Sequence, residues 1–230
     1  MTRRGDLNVW WRLGLVVVGS AVRVLFRIRV IGAERVPSTG PAIVASNHVS
    51  ALDGVVLAAV VGRDARRMTR FLTGAEFFAK PQFGWALRLF RQIPIRRGTG
   101  DEGALDEAIK TVRSGAVAGI FPEGLVNAEP DGGLQRGRTG VARISLATQA
   151  PVVPVGIWGT QERWPRSGLT WRRPWRTKVA LAFGAPLLAE GDPGESKDAQ
   201  RMTALVMEGI ENAVEEARRA GSGDARSSAR

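Results

Sequence analysis

The fold is indicated most clearly by the stretch Ala42-Ile43-Val44-Ala45-Ser46-Asn47-His48-Val49-Ser50-Ala51-Leu52-Asp53. This stretch opens with an unbroken apolar run, which is typical of a strand buried on both faces of a parallel sheet. Polar residues follow, and the pattern over 52–61 then predicts a helix. A strand that leads directly into a helix is the repeating unit of α/β proteins. The stretch therefore predicts an α/β fold, and it includes His48, the only histidine of the chain.

The same alternation continues on both sides of this stretch. Further apolar runs predict strands at 28–31, 70–73, 117–121, 152–157 and 179–183. Helical spacing predicts helices at 105–113 and 198–219. We therefore predict one α/β domain over 28–220, with a mostly parallel central sheet flanked by helices. Residues 221–230 hold no apolar cluster, and we expect them to form a disordered tail.

Composition narrows the classes of function. A chain of 230 residues is long enough to bury a sizeable core. The absence of cysteine excludes thiol catalysis, thiolate metal sites and disulfides, and a single histidine makes a poor transition-metal site, so we predict no metal. The net charge of +11 favours anionic partners, namely nucleic acid, an acidic lipid surface or phosphorylated substrates.

The N-terminal segment 1–27 contains a largely apolar stretch that begins at Trp10-Trp11-Arg12. Its charge-free part, 13–22, is far shorter than the roughly 20 residues that a membrane span requires. We predict a helix over 8–27 that lies on or dips into a membrane surface, with Trp10 and Trp11 at headgroup depth. An ordinary buried helix is the alternative.

A second segment, 158–178, also combines tryptophan with basic residues. It holds four of the seven tryptophans, and no acidic residue occurs between 163 and 178. Such a segment binds either an anionic bilayer or nucleic acid. Tryptophan favours the lipid interface, so we predict an anionic membrane surface as partner and expect no nucleic acid. A basic loop with packed tryptophans is the remaining alternative.

His48 is the candidate general base, because histidine takes up and returns protons near neutral pH. Asp53 is close enough in the chain to accept a hydrogen bond from the ring and select its tautomer. The same residues also fit a helix cap, with Ser50 as N-cap and Asp53 bonding back to it. A covalent role for Ser50 is a further alternative, although no G-x-S-x-G motif surrounds it.

Two other segments end apolar runs with chemically useful residues. In Phe121-Pro122-Glu123-Gly124, Glu123 would face the same crevice as His48 if their strands are neighbours, and Gly124 permits close backbone approach. A plain turn is the alternative there. In Ile93-Pro94-Ile95-Arg96-Arg97, two guanidinium groups suit phosphate oxygens, unless they are ordinary surface arginines.

Taken in order, these segments resemble the glycerolipid acyltransferase family typified by bacterial lysophosphatidic acid acyltransferases. His48 and Asp53 match its H-x4-D motif, and Arg97 matches the arginine of its second motif. Glu123-Gly124 matches its third motif and Val153-Pro154-Val155-Gly156 its fourth. Arg138-Thr139-Gly140 matches a downstream basic-x-Gly step. The resemblance covers roughly residues 28–190. Four ordered motifs are far more specific than any one of them.

The resemblance implies an O-acyltransferase of phospholipid biosynthesis without a bound cofactor. It would move an acyl group from acyl-CoA or acyl-carrier protein to a lysophospholipid, with 1-acyl-sn-glycerol 3-phosphate giving phosphatidic acid. His48 would act as general base and Asp53 would orient it. The implied substrate-binding residues are Arg96, Arg97, Glu123, Gly124 and Arg138. The implied location is the cytoplasmic face of the cell membrane, as a peripheral or monotopic protein.

The third motif departs from the family pattern. It commonly continues Glu-Gly-Thr-Arg-Ser, whereas this chain continues Leu125-Val126-Asn127. Either Arg96, Arg136 or Arg138 replaces the absent arginine, or the acceptor head group differs. Two alternatives stay open: an acyltransferase of this family that acts on another lipid or a glycolipid, and a noncatalytic basic protein that binds membranes or nucleic acid.

Overall fold

The computed structural model describes residues 9–96, 98–170 and 176–222, which form a sheet with helices on both faces. The strands are β1 (Phe26–Ile31), β2 (Ala42–Ser46), β3 (Thr69–Gly74), β4 (Ile93–Ile95), β5 (Val117–Ile120), β6 (Val152–Trp158) and β7 (Thr177–Phe183). The helices are α1 (Val9–Leu25), α2 (Asp53–Asp64), α3 (Ala75–Phe78), α4 (Pro81–Leu89), α5 (Glu102–Arg113), α6 (Gly140–Thr148) and α7 (Ser196–Ser222).

The strand order is β1-β7-β6-β2-β5-β3-β4, and each neighbouring pair except β6 and β7 is parallel. The prediction of a mostly parallel sheet is therefore confirmed. β2 lies between β5 and β6, and all five of its residues are buried. Because these three strands run in the same direction, their carboxyl ends lie side by side at one edge of the sheet. This is the edge where open α/β sheets bind ligands.

The two faces of the sheet pack against different helices. Successive side chains of a strand point to opposite faces, so Val44 of β2 packs in the cluster with α1 and α2, whereas Ile43 and Ala45 pack in the cluster with α5, α6 and α7. Gly156 of β6 admits the backbone of α7 at Ala213, where a Cβ would collide with the helix. The proline-centred fourth motif thus contains a packing position for α7.

The six predicted strands all form, with ends shifted by at most two residues. Strand β4 was not predicted, because three residues with a central proline have too little periodicity to indicate a strand. Pro94 is tolerated because β4 is an edge strand, where one side of the backbone has no partner strand. Helices α3, α4 and α6 were also not predicted. The predicted helices form with extended or shifted ends.

Helix α1 packs on the domain rather than standing apart from it. Trp11 is buried edge-on against Phe90, with ring centroids 5.3 Å apart, and Gly62 of α2 makes room for Leu15. Trp11 is therefore packed against the domain, and the placement of Trp10 and Trp11 at headgroup depth stays a prediction. Trp10 is exposed.

In the part of the chain that the structure describes, none of the helices combines the length and the apolar character needed to cross a membrane.

The boundaries of the domain differ slightly from the prediction. Helix α7 continues to Ser222, so residues 221 and 222 are helical rather than part of a tail. The rest of the predicted tail, 223–230, lies outside the described residues. The same is true of residues 1–8, of Arg97, and of 171–175 within the tryptophan-rich segment.

Candidate active site

His48 lies in the connection between β2 and α2, at the carboxyl edge of the sheet. Its Nδ1 atom is 3.0 Å from Oδ2 of Asp53, the first residue of α2. Asp53 is completely buried, and the His48 side chain is 12% exposed. The contact that the five-residue spacing predicts is present, and it engages one of the two ring nitrogens.

The Asp53 carboxylate is surrounded by hydrogen-bond donors. Oδ2 also accepts bonds from the backbone N–H groups of Val49 at 2.7 Å and Ser50 at 2.8 Å. Oδ1 accepts a bond from the hydroxyl of Thr160 at 2.6 Å. A buried carboxylate requires such donors, because burial alone disfavours its charged form.

The helix-cap interpretation is only half correct. Asp53 does bond back to the N–H of Ser50, but the residue before the helix is Leu52, and the Ser50 hydroxyl accepts its bond from Leu52 N at 3.1 Å. That hydroxyl donates its own hydrogen to the carbonyl of Trp164 at 2.8 Å. The Ser50 hydroxyl thus bonds a carbonyl rather than a basic nitrogen, which gives no support to a nucleophilic role.

Glu123 follows β5 and reaches the backbone of His48, because β5 pairs with β2. Its Oε1 accepts the His48 N–H at 2.8 Å, and its Oε2 accepts the Gln135 N–H at 2.9 Å. Burial raises the pKa of Glu123, and these two hydrogen bonds oppose that change. The convergence of Glu123 with His48 is therefore present, but both carboxylate oxygens hold backbone groups.

Gly124 and Phe121 complete this turn. Gly124 has φ of +78°, and its missing side chain leaves space for the Arg138 side chain. The Phe121 ring stacks on the His48 ring, with centroids 4.2 Å apart and an interplanar angle of 16°. This stack and the Asp53 bond hold the imidazole plane. Within the described residues no hydrogen bond engages Nε2 of His48, so this nitrogen is left to accept a proton.

The predicted arginines occupy different environments. Arg96 has a largely exposed side chain whose Nε lies 3.5 Å from Oδ2 of Asp101, and its backbone N–H bonds the same oxygen at 2.8 Å. These contacts connect Arg96 to the start of α5 rather than to His48. Arg138 is exposed, its backbone N–H bonds the carbonyl of Pro122 at 2.9 Å, and its side chain lies over Gly124. Arg136 is also exposed. Arg97 lies outside the described residues.

The sequence analysis missed several residues that support the site. The Asn47 amide bonds both the N–H and the carbonyl of Ile157, at 2.7 and 2.9 Å, and so ties the residue before His48 to β6. The backbone N–H of Asn127 donates to the His48 carbonyl at 2.6 Å. Thr160 follows β6 at the same sheet edge. The rule that sites form where parallel strands end would have indicated Thr160.

Arg166 is another cation near the site that the sequence analysis did not connect with it. One of its guanidinium nitrogens, Nη1, lies 3.4 Å from the carbonyl of Val126. Val126 stands where the resemblance places the missing arginine of the third motif. The structure thus brings Arg138 and Arg166 to the same 123–126 turn, each from a different loop.

Comparisons with known proteins show which family and which fold the chain resembles. The sequence model of the family described as Acyltransferase matches residues 27–158. The crystal structure of the 1-acyl-sn-glycerophosphate (LPA) acyltransferase, PlsC, from Thermotoga maritima is similar with a TM-score of 0.72 and 26% identity, covering 95% of this chain and 81% of that chain. The 1-acyl-sn-glycerol-3-phosphate acyltransferase of Bacillus subtilis is 24% identical over 191 residues, which is 81% of this chain and 88% of that protein.

A longer relative has no described activity. An uncharacterized protein of Mycobacterium tuberculosis is 33% identical over 149 residues, or 61% of this chain. The match spans only 39% of that protein, so this chain corresponds to about two fifths of its length.

Proposed function

Because the chain belongs to the Acyltransferase family, we propose that it transfers a fatty acyl group from acyl-CoA or acyl-carrier protein to the free hydroxyl of a lysophospholipid. The proposed acceptor is 1-acyl-sn-glycerol 3-phosphate, and the product is phosphatidic acid. One observation carries the proposal. The single imidazole has Nδ1 bonded to a buried carboxylate at 3.0 Å, at the carboxyl edge of the sheet.

In the proposed mechanism, His48 Nε2 removes the proton from the acceptor hydroxyl as its oxygen attacks the thioester carbonyl carbon. The tetrahedral intermediate then collapses and breaks the C–S bond, and the imidazolium returns the proton to the leaving thiolate. The Asp53 carboxylate stabilises the imidazolium between these steps. General-base assistance supplies about 10²–10⁴-fold, and positioning of the two substrates supplies much of the remainder.

The acceptor phosphate requires cations, and the motif arginine is absent from the 125–127 segment. We propose that Arg138 and Arg166 hold this phosphate together with Arg97. The support is that the first two contact the same turn beside His48 and are exposed. Glu123 acts in this proposal by holding the backbone of His48, and Gly124 by leaving room for the Arg138 side chain.

We also propose that the protein associates peripherally with the cytoplasmic membrane face. Exposed apolar residues of α1 recur at helical spacing, and α4 exposes two large aromatic side chains. These residues are Val9, Trp10, Leu13, Val16, Val17, Phe83 and Trp85. The packing of Trp11 on Phe90 joins α1 to the end of α4. Exposed apolar patches of this kind, on a chain of net charge +11, suit an anionic lipid surface.

The tryptophan-rich segment contributes less to this proposal. Trp158 lies under the guanidinium of Arg218, with the Arg218 carbon 3.8 Å from the ring centroid. Trp164 is half-buried, and its carbonyl accepts bonds from the Ser50 hydroxyl and the Ala51 N–H. Both contacts favour the packed-loop interpretation for the described part of 158–178. The apolar face of α1 and α4 is therefore the proposed membrane contact.

The transfer proposal is tested by thiol release from long-chain acyl-CoA, and by consumption of acyl-carrier protein thioester, against a panel of acceptors. The panel contains lysophospholipids, glycerol 3-phosphate and glycolipids. We expect turnover with 1-acyl-sn-glycerol 3-phosphate and a loss of at least about 10³-fold in His48→Ala. Turnover of that variant at the wild-type rate would refute the base assignment. Turnover only with a glycolipid would redirect the acceptor, and lipid binding without turnover would favour the noncatalytic alternative.

The membrane proposal is tested by flotation with vesicles that contain phosphatidylglycerol. The double variant Trp10→Ser, Trp85→Ser should bind about tenfold more weakly than the wild type, because it loses two exposed indole rings. The matched control is the double variant Leu188→Ser, Leu205→Ser, which removes exposed apolar side chains away from α1 and α4. Equal binding of both variants, or binding that does not weaken with salt, would contradict the proposal.

A further inference from the structure

We propose that Thr160 is a positioning residue that holds the Asp53 carboxylate in the orientation that selects the reactive tautomer of His48. This inference rests on the proposed function of His48 as general base. Thr160 contacts neither the imidazole nor, in the proposed mechanism, the substrate. It acts through Asp53.

The contact between Thr160 and Asp53 is short and buried. The hydroxyl oxygen lies 2.6 Å from Oδ1 of Asp53, and both residues are fully excluded from solvent. The local backbone fixes the place of Thr160. Gly159 takes a left-handed conformation with φ of +101° after β6, and the Thr160 carbonyl then accepts the N–H groups of Arg163 and Trp164 at 3.0 and 3.2 Å. The hydroxyl is therefore presented by a rigid turn.

The two oxygens of Asp53 are held very differently. Oδ2 has three partners, the ring of His48 and the N–H groups of Val49 and Ser50, and all three come from the loop that leads into α2. Oδ1 has Thr160 as its partner among the described residues, and Thr160 belongs to a different strand connection, 107 residues away in the chain. Thr160 is thus the contact that fixes the carboxylate relative to the rest of the sheet.

Hydrogen bonds on both oxygens hold the plane of the carboxylate, three on Oδ2 and that of Thr160 on Oδ1. The terminal torsion of aspartate is broad and nearly twofold, so hydrogen bonds decide the plane of the group. Without the hydroxyl, Oδ1 would be a buried acceptor with no donor, and the carboxylate would turn or shift to recover one. Either movement lengthens the Oδ2 contact with Nδ1 of His48.

That contact decides which ring nitrogen carries the proton. While Asp53 accepts from Nδ1–H, the neutral ring has a bare Nε2 that can take the substrate proton. A weakened contact allows the Nε2–H tautomer to form, and that tautomer cannot act as a base toward the substrate. Removal of the Thr160 hydroxyl should therefore lower turnover and leave the binding of both substrates unchanged.

The single histidine makes this inference directly measurable. In protein labelled with ¹⁵N-histidine, the imidazole signals come from His48 and need no further assignment. We expect the wild type and Thr160→Ser to show Nδ1–H with unprotonated Nε2, and Thr160→Val to show a substantial Nε2–H population. Thr203→Val is the matched control, because the Thr203 hydroxyl is buried and bonds the Ala199 carbonyl at 2.6 Å in α7.

Steady-state kinetics of the Thr160 variants provide a second test. Thr160→Val should lower kcat by about 10- to 100-fold, because it loses a buried hydrogen bond to a charged group, and it should leave KM for donor and acceptor within about twofold. Thr160→Ser should recover kcat to within about threefold of the wild type. If Thr160→Val does not fold, Thr160→Ala lacks the same hydroxyl and gives the same reading.

An unchanged tautomer and unchanged kcat in Thr160→Val would overturn the inference. A lowered kcat with an unchanged tautomer would also overturn it, because it would indicate a structural role alone. The tautomer measurement does not depend on turnover. Absence of acyl transfer by the wild type would refute the proposed function. The effect of Thr160 on the tautomer of His48 could still be measured.

Discussion

A charged side chain is completely buried at each of two opposite ends of the sheet, and the two charges have different roles. Asp53 lies at the carboxyl edge beside His48, and Arg67 lies at the amino edge, just before β3. Both are 0% exposed. A buried charge is costly unless hydrogen bonds replace its lost hydration. Both sites meet this requirement, but with different kinds of partner.

Arg67 donates hydrogen bonds to three backbone carbonyls. Its guanidinium nitrogens lie 2.7 Å from Pro37 O, 2.7 Å from Gly40 O and 2.6 Å from Gly115 O. These carbonyls precede β2 and β5, and β5 lies between β2 and β3 in the sheet. Arg67 thereby ties together the amino ends of three adjacent strands. Backbone carbonyls have no proton to exchange, so this site stabilises the fold.

Asp53 also bonds backbone groups, but one of its partners is the imidazole of His48, which has a second nitrogen that can accept a proton. The Asp53 charge therefore acts on a group that changes its protonation state, whereas the three carbonyls that Arg67 bonds have no proton to exchange. Burial of a charge therefore does not by itself indicate a reactive site. The chemistry of its partners does.

The largest expected effect is a loss of kcat on substitution of Asp53, at the reactive end of the sheet. Asp53→Asn keeps the size of the side chain but removes the charge that stabilises the imidazolium and selects the tautomer. We expect kcat to fall by about 10⁴-fold, which corresponds to about 5.5 kcal/mol of activation free energy. Thiol release measures the rate, and circular dichroism checks that the fold is kept. A folded variant that retains a tenth of wild-type turnover would contradict the assignment of Asp53 to the reactive end of the sheet.

The next effect is expected at the amino end. Arg67→Met removes the charged donor of three backbone carbonyls, and we expect a loss of about 3–5 kcal/mol in the free energy of unfolding. Urea denaturation measures it. The folded fraction should keep kcat within about threefold of the wild type, because Arg67 is remote from His48.

The control for Arg67 is Arg113→Met. Arg113 is exposed and donates to a single carbonyl, that of Ala147, at 2.9 Å. Its loss should change the free energy of unfolding by about 0.5 kcal/mol. If Arg67→Met were as stable as this control but inactive, the division into a structural and a reactive end would be wrong.

The smallest effect concerns Glu123, which shares features of both ends because its oxygens hold the backbone of His48 and of Gln135. Glu123→Gln replaces one acceptor oxygen by an NH₂ group that faces a backbone N–H. We expect a loss of about 1–2 kcal/mol in the free energy of unfolding near neutral pH.

The pH dependence of this effect has a defined sign. Burial raises the pKa of Glu123 above its ordinary value of 4.5, so the folded protein binds this proton more tightly than the unfolded chain. The resulting stability is present in full below pH 4.5 and is lost as the pH rises through the folded pKa. The stability of the wild type relative to Glu123→Gln should therefore decrease over that window. Urea denaturation from about pH 4 to pH 7 measures it, and an increase with pH would contradict the assigned cause.

The parts of the site that the sequence predicted are those connected by short stretches of chain. His48 and Asp53 are five residues apart, so the spacing alone predicts their contact. The convergence of Glu123 with His48 depended on whether their strands are neighbours, which β2 and β5 turn out to be. Thr160 and Arg67 could not be assigned partners, because these partners lie 107 and up to 48 residues away in the chain.

Sequence patterns were sufficient to predict the α/β class, the six longer strands and the local His48–Asp53 pair, because apolar runs and residue spacing act within a few residues of chain. Tertiary structure alone decided the order of the strands, the burial of Trp11 under Phe90 and the supply of a hydroxyl to Asp53 from beyond β6. These features depend on which surfaces pack together. Packing is a property of the whole chain, and no local pattern encodes it.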